Sequence, residues 1–171
     1  MALLLNASGA KSGRREPRFE LEKGRFRAHR IIGLHLDAGA LYAQADRADP
    51  HHAAVAEILR LEHEPLVTSA LAVAEADYLI LTRLGIEVEL AFIEDLAEGT
   101  FSVECLTRSE LRVALGVLRR YRDLAIGLAD ASLVVLAQRF RTRRLLTFDE
   151  RAFRAVTPLQ GGTFMLLPAD R

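Results

Sequence analysis

From residue 31 onward, short apolar runs alternate with longer amphipathic stretches along the chain. Ile31 to Leu36 is short and mostly apolar, which predicts a buried strand. Ala38 to Ala45 predicts a short helix. Pro50, a residue suited to a helix start, leads into a second helix over Ala53 to Leu61. Leu66-Val67-Thr68 predicts the next strand. Helices follow over Ala70 to Leu84 and Val88 to Leu96, stopped by Gly85 and Gly99. Phe101-Ser102-Val103 predicts a strand, and Thr107 with Glu110 forms a capping box for a helix running to Tyr121. The pattern closes with a helix over Asp130 to Phe140, a strand over Arg144 to Thr147 and a last strand over Thr163 to Leu167. Strands separated by helices predict an α/β fold whose mostly parallel central sheet is flanked by helices on both faces, a three-layer arrangement.

Composition narrows this picture only in part. At 171 residues and 19.0 kDa, with half the residues hydrophobic, one domain with a substantial core is expected. No apolar run approaches the roughly 18 residues of a membrane span. Met1-Ala2-Leu3-Leu4-Leu5 lacks a basic segment before it and an apolar segment of signal length, so a cytoplasmic protein is expected. Cys105 is the only cysteine, which excludes an internal disulfide and a multi-cysteine metal site. The zero net charge is uneven: residues 1–30 hold eight Lys or Arg against three Glu, and the remainder holds fifteen Arg against twenty acids. Ser8-Gly9, Ser12-Gly13 and Pro17 interrupt the first part, and its charges follow no apolar period. Residues 1–28 therefore read as a flexible basic extension, native or an artefact of the chosen start, and 29–171 as the folded domain.

The candidate chemistry lies in acids at strand ends and helix starts. Asp37 follows the first predicted strand, Asp130 precedes the buried run Ala131 to Val135, and Asp149 follows the strand ending at Thr147. Each alone serves equally well as a helix cap. Glu75 differs because it lies inside a helix with Leu71, Tyr78 and Leu79 as same-face neighbours. Asp77, beside Val73 and Leu81, has similar surroundings, and periodicity does not choose between them. In an open parallel sheet, ligands bind at the carboxyl ends of the strands. Four carboxylates converging there would repel one another. A hard divalent cation such as Mg²⁺ removes that cost. The five histidines have no zinc-site spacing: His51-His52 reads as a solvated pair and His35 as a packed strand residue.

Four short motifs carry a resemblance to a known family. They are Leu36-Asp37-Ala38-Gly39-Ala40-Leu41, Ser69-Ala70-Leu71-Ala72-Val73-Ala74-Glu75, the run from Asp123 to Ser132, and Leu145-Leu146-Thr147-Phe148-Asp149-Glu150-Arg151-Ala152-Phe153. In this order, with successive acids 38, 55 and 19 positions apart, the chain resembles a PIN domain over about residues 31–167. More narrowly, it resembles the VapC toxins of bacterial toxin–antitoxin pairs. The resemblance implies a PIN-like fold and a Mg²⁺- or Mn²⁺-dependent endoribonuclease. It assigns catalytic and metal-binding roles to Asp37, Glu75, Asp130 and Asp149, favouring Glu75 over Asp77. It gives Thr147 a hydroxyl role beside the fourth acid and leaves Asp123 as a reserve acid. Expected partners are an RNA substrate, a cognate antitoxin covering the cleft and a second copy in a homodimer, with no membrane.

Two arginine groups bear on RNA binding. Arg108, Arg112, Arg119 and Arg122 fall within about 80° on a helical wheel, which is more simply a solvated helix face. Arg139, Arg141, Arg143, Arg144, Arg151 and Arg154 bracket Asp149, which favours phosphate contact. The acidic balance beyond residue 30 opposes broad non-specific binding and favours recognition of one RNA structure. Three other functions compete: an RNA-processing PIN enzyme without an antitoxin, a non-catalytic RNA- or protein-binding module, and a phosphotransferase. The presence of all four acids opposes the second. The lack of an Asp two residues after Asp37 opposes the third.

Overall fold

The computed structural model describes residues 33–171. The expected extension over 1–28, and Ile31-Ile32 at the head of the first strand, lie outside them. Five strands form one sheet in the order β3-β2-β1-β4-β5: β1 (Leu34–Leu36), β2 (Leu66–Ser69), β3 (Ser102–Glu104), β4 (Arg144–Leu146) and β5 (Met165–Leu167). Every pairing is parallel, so the sheet is wholly rather than mostly parallel. Among the described residues seven helices connect and cover it: α1 (Ala38–Ala45), α2 (His52–Leu61), α3 (Ala70–Leu84), α4 (Ile86–Ala97), α5 (Arg108–Arg120), α6 (Leu128–Arg139) and α7 (Glu150–Ala155). No helix among the described residues is long and apolar enough to cross a membrane.

Alternation along the strands splits the core into two layers. Leu34, Leu36, Leu146 and Leu167 point to one face and pack with α1, α2, α3 and Phe92 of α4. Leu145 and Leu166 point to the other and pack with α5, α6 and α7. Between Leu34 and Leu36, His35 is fully buried, and its ring meets Phe140 edge-on at 5.5 Å. Burial, with the positive charge of Arg139 behind it, lowers the His35 pKa to about 4. Neither ring nitrogen has a hydrogen-bond partner among the described residues. His35 is thus a packed residue, as its strand position suggested.

The helix ends explain most of the boundaries. Ser69 caps α3 by accepting from Ala72 N–H at 2.9 Å, and Gly85, at φ +90°, ends it. The capping box of α5 forms as expected, with Thr107 and Glu110 each accepting from the other's backbone N–H. Arg122 falls just beyond α5, in a short 3₁₀ turn, so it is not part of that helix's arginine face. Residues Ala131 to Ala137 of α6 are all buried, which marks a central helix rather than an amphipathic one.

The strand order sets where a ligand can enter. The chain runs from β1 outward to β2 and β3, then returns to place β4 on the other side of β1. The switch therefore falls between β1 and β4, and a crevice opens at their carboxyl ends.

Candidate metal centre

Asp37 and Asp149 stand at that switch. Asp37 leaves β1 and caps α1, its Oδ1 accepting from Ala40 N–H at 2.7 Å. Its Oδ2 accepts a short hydrogen bond from the Thr147 hydroxyl. Thr147 Oγ1 in turn accepts from Asp149 N–H at 3.0 Å, and Asp149 caps α7 through Ala152 N–H at 3.0 Å. One hydroxyl thus ties the two strand-end acids together. Each Asp37 oxygen has one hydrogen-bond partner among the described residues, and a carboxylate oxygen accepts two, which leaves each a lone pair for a further ligand.

Asp130 arrives from the opposite layer. The sequence predicts that the helix begins at Asp130, but α6 begins at Leu128 with Gly127 as its cap residue, so Asp130 lies within the first turn. Its Oδ2 reaches back to accept from Gly127 N–H at 3.0 Å. Two residues later, buried Ser132 donates to Ser69 Oγ at 2.7 Å, with the Ala129 carbonyl as a second acceptor for the same proton. This bond joins α6 to the cap of α3, the helix that carries Glu75. Glu75 lies within electrostatic reach of Asp130. Asp77, two positions on, is rotated by about 200° around the helix. Asp123, the reserve acid, sits exposed in the 3₁₀ turn with Arg122 at 3.7 Å and takes no part.

The four acids differ in burial and share an electrostatic problem. Asp37 is buried, Asp130 half-buried, and Glu75 and Asp149 are exposed, so the cleft deepens towards Asp37. Burial above all, then the charges of Asp130 and Asp149, raises the Asp37 pKa to about 6 against the pull of its two hydrogen bonds. Burial and the Asp149 charge raise that of Asp130, and partial desolvation in the cleft and the Asp130 charge raise that of Glu75. Among the described residues no salt bridge reaches any of the four.

Nor do they close into a ready-made cage: among the described residues, no three potential ligands are drawn together tightly enough to hold an ion as they stand. They face one another across a cleft at electrostatic range. Such a set fits Mg²⁺ or Mn²⁺, because hard cations take oxygen donors and Mg²⁺ keeps several waters beside one or two carboxylates. It does not fit zinc, which prefers histidine and cysteine.

The arginines sort differently from their order in sequence. Arg139 binds Glu104 at 2.8 Å, Glu110 at 2.6 Å and the Cys105 carbonyl at 2.8 Å. Arg144 binds Glu62 at 2.6 Å, and Arg154 binds Glu150 and Asp170 at 2.9 and 2.7 Å. Arg141, Arg143 and Arg144 precede or begin β4, at the amino edge of the sheet, with the strand between them and Asp149. Their closeness to Asp149 in sequence is therefore not closeness in space. Of that group, only Arg151, exposed on the first turn of α7, is beside the acids and outside any ion pair among the described residues. A residue not foreseen at the site is His51: instead of forming a solvated pair with His52, it stacks on Phe148, the neighbour of Asp149.

This architecture is that of a PIN domain. The chain matches that family over residues 34–157, nearly all of the described region, and belongs to it. It is 44% identical over 133 residues to Ribonuclease VapC26 of Mycobacterium tuberculosis (strain ATCC 25618 / H37Rv), covering 78% of this chain and 98% of that one. The crystal structure of Mycobacterium tuberculosis VapC20, a sarcin-ricin-loop-cleaving toxin, superposes with a TM-score of 0.64 at 18% identity. That match covers 68% of this chain and 90% of VapC20 and shares the fold.

Proposed function

We propose that this protein is a cytoplasmic, divalent-metal-dependent endoribonuclease toxin of the VapC type, with Asp37, Glu75, Asp130 and Asp149 as its metal-binding and catalytic acids. One observation supports the assignment of those residues: four acids from four separate segments each lie within electrostatic reach of another near the β1–β4 switch, with no salt bridge to any of them among the described residues. The 44% identity to a VapC ribonuclease across nearly its whole length supports the toxin class.

Mg²⁺ or Mn²⁺ in the cleft supplies Lewis acidity, activating water and offsetting charge on the scissile phosphate. The protein's own contribution is placement. Thr147 holds Asp37 and the Asp149 backbone in one geometry, while Ser132 and Ser69 set α6 against α3 and hence Asp130 against Glu75. Attack comes from water, so no side-chain nucleophile is required. A cognate antitoxin is the expected inhibitor, and an inserted arginine pairing with the acids is its simplest chemistry. A homodimer is supported by apolar side chains exposed on α3 and α4, among them Tyr78, Ile86, Leu90 and Ile93.

Incubating purified protein with total bacterial RNA and Mg²⁺, Mn²⁺ or EDTA tests the proposal. Discrete cleavage with either metal and none in EDTA is expected. EDTA-insensitive cleavage, or no cleavage with either metal, contradicts it.

A further inference from the structure

Beside the acids lies an aromatic pair that the chemistry above does not use. Phe148 stands between Thr147 and Asp149 and packs against the core layer formed by α1 to α4. His51 precedes α2 and stacks on it, with ring centroids 3.9 Å apart and planes 17° from parallel. A side chain at this helix-start position commonly caps the helix, yet that of His51 makes no capping hydrogen bond. Its backbone N–H is held instead by Asp49 Oδ1 at 2.7 Å. The residue is exposed even though one face of its imidazole lies on Phe148. The result is a flat surface fixed by the Asp49 turn on one side and by Phe148 behind it.

We infer that the outer face of His51, backed by Phe148, is a stacking platform for one nucleobase of the RNA next to the scissile phosphate. This rests on the ribonuclease reading and extends it to how substrate is held. Two physical needs point the same way. The acids are committed to the cation that meets the scissile phosphate, so the flanking nucleotides need contacts of their own. Three arginines whose sequence positions suggested phosphate contact are engaged by Glu62, Glu104, Glu110, Glu150 and Asp170. Of that group only Arg151 stays beside the acids outside any ion pair among the described residues, so contacts that do not depend on charge add to the grip. Stacking is such a contact: unstacked RNA bases are held on aromatic rings, histidine included, and every base has a π-face to offer. A ring already held in place loses little conformational freedom on binding.

The alternative is that His51 merely shields Phe148 from water, and leucine separates the two roles. Wild-type protein is first run with Mn²⁺ on total bacterial RNA. A short oligonucleotide spanning the mapped cut then serves as probe for wild type, His51→Ala, His51→Leu and His51→Phe. The platform predicts that His51→Ala and His51→Leu raise KM about tenfold. It also predicts kcat within about twofold of wild type and His51→Phe near wild type in both constants. Wild-type KM in His51→Leu reduces His51 to a cover and overturns the platform, as does a loss confined to kcat in His51→Ala. His51→Leu keeps Phe148 covered, so it stays informative if His51→Ala unfolds. No cleavage by the wild type removes the ribonuclease reading itself, whereas robust cleavage with KM unchanged in His51→Ala removes the platform alone.

Discussion

The two ends of α6 hold carboxylates in opposite circumstances. At its carboxyl end, Arg139 joins Glu104 and Glu110, and this pairing draws the Glu110 pKa down to about 2. At its amino end, Asp130 is coupled to Asp149, Asp37 and Glu75 with no salt bridge to any of the four among the described residues, and the pKa values of Asp130, Asp37 and Glu75 are pushed up. Both ends gather carboxylates against one helix, and only one end supplies the cation that pairs them. Charges that serve the fold are compensated within it. Acids left in mutual repulsion cost stability and are kept for a partner that arrives later.

The sharpest way to break this contrast is to neutralise the unpaired end. Asp37→Asn or Asp130→Asn should lower RNA cleavage by about a thousandfold, the several kcal/mol expected from losing a metal-supporting acid. Circular dichroism and thermal melts should show a fold at least as stable as wild type in the metal-free state. Undiminished cleavage in both variants contradicts the site assignment.

A second effect comes from opposing titrations. Folded Asp37 takes up its proton near pH 6, against 3.8 ordinarily, so acidification through that interval favours the folded state. Folded His35 resists its proton until about pH 4, against 6.5 ordinarily, so the same acidification favours unfolding. Metal-free wild type should therefore change little in stability between about pH 6.5 and pH 4. Asp37→Asn should lose about 2 to 3 kcal/mol more than wild type over that range, because the Asp37 contribution that opposes His35 is gone. His35→Leu should gain on acidification. Urea unfolding at stepped pH measures all three, and parallel curves contradict the opposition.

Breaking the compensated end should have the complementary result. Arg139→Ala leaves two half-buried carboxylates without their partner and should cost about 2 kcal/mol of stability. Cleavage per folded molecule should stay near wild type, and a large loss of kcat at a temperature where the variant is folded contradicts the division. The smallest expected effect is at the hydroxyl bridge. Ser132→Ala should cost about 1 kcal/mol of stability. It should also weaken Mn²⁺ binding about tenfold, as loss of a supporting contact does. Unchanged Mn²⁺ affinity would show that Ser132 only packs.

Much of this was legible in the residues, for identifiable reasons. Gly85 and the Thr107–Glu110 box mark helix ends through purely local chemistry, and both lie where expected. The start of α6 was misplaced because its cap, Gly127, has no side chain to advertise it, and Asp130 performs the capping from inside the helix. The arginine group around Asp149 misled for a different reason. Sequence distance ignores that a strand carries the chain from one edge of the sheet to the other, so Arg144 and Asp149 lie at opposite edges. Periodicity did not separate Glu75 from Asp77, since the choice depends on where Asp130 sits in three dimensions. The stacking of His51 on Phe148 joins residues nearly a hundred positions apart and leaves no local pattern at all.

The contrast between the two ends of α6 is tested most directly by calorimetric titration of Mn²⁺ into wild type, Asp130→Asn and Arg139→Ala at neutral pH. Saturable binding in wild type and Arg139→Ala, lost in Asp130→Asn, is the expected result. Equal Mn²⁺ binding in wild type and Asp130→Asn, or none in wild type, would contradict a metal role for the unpaired acids.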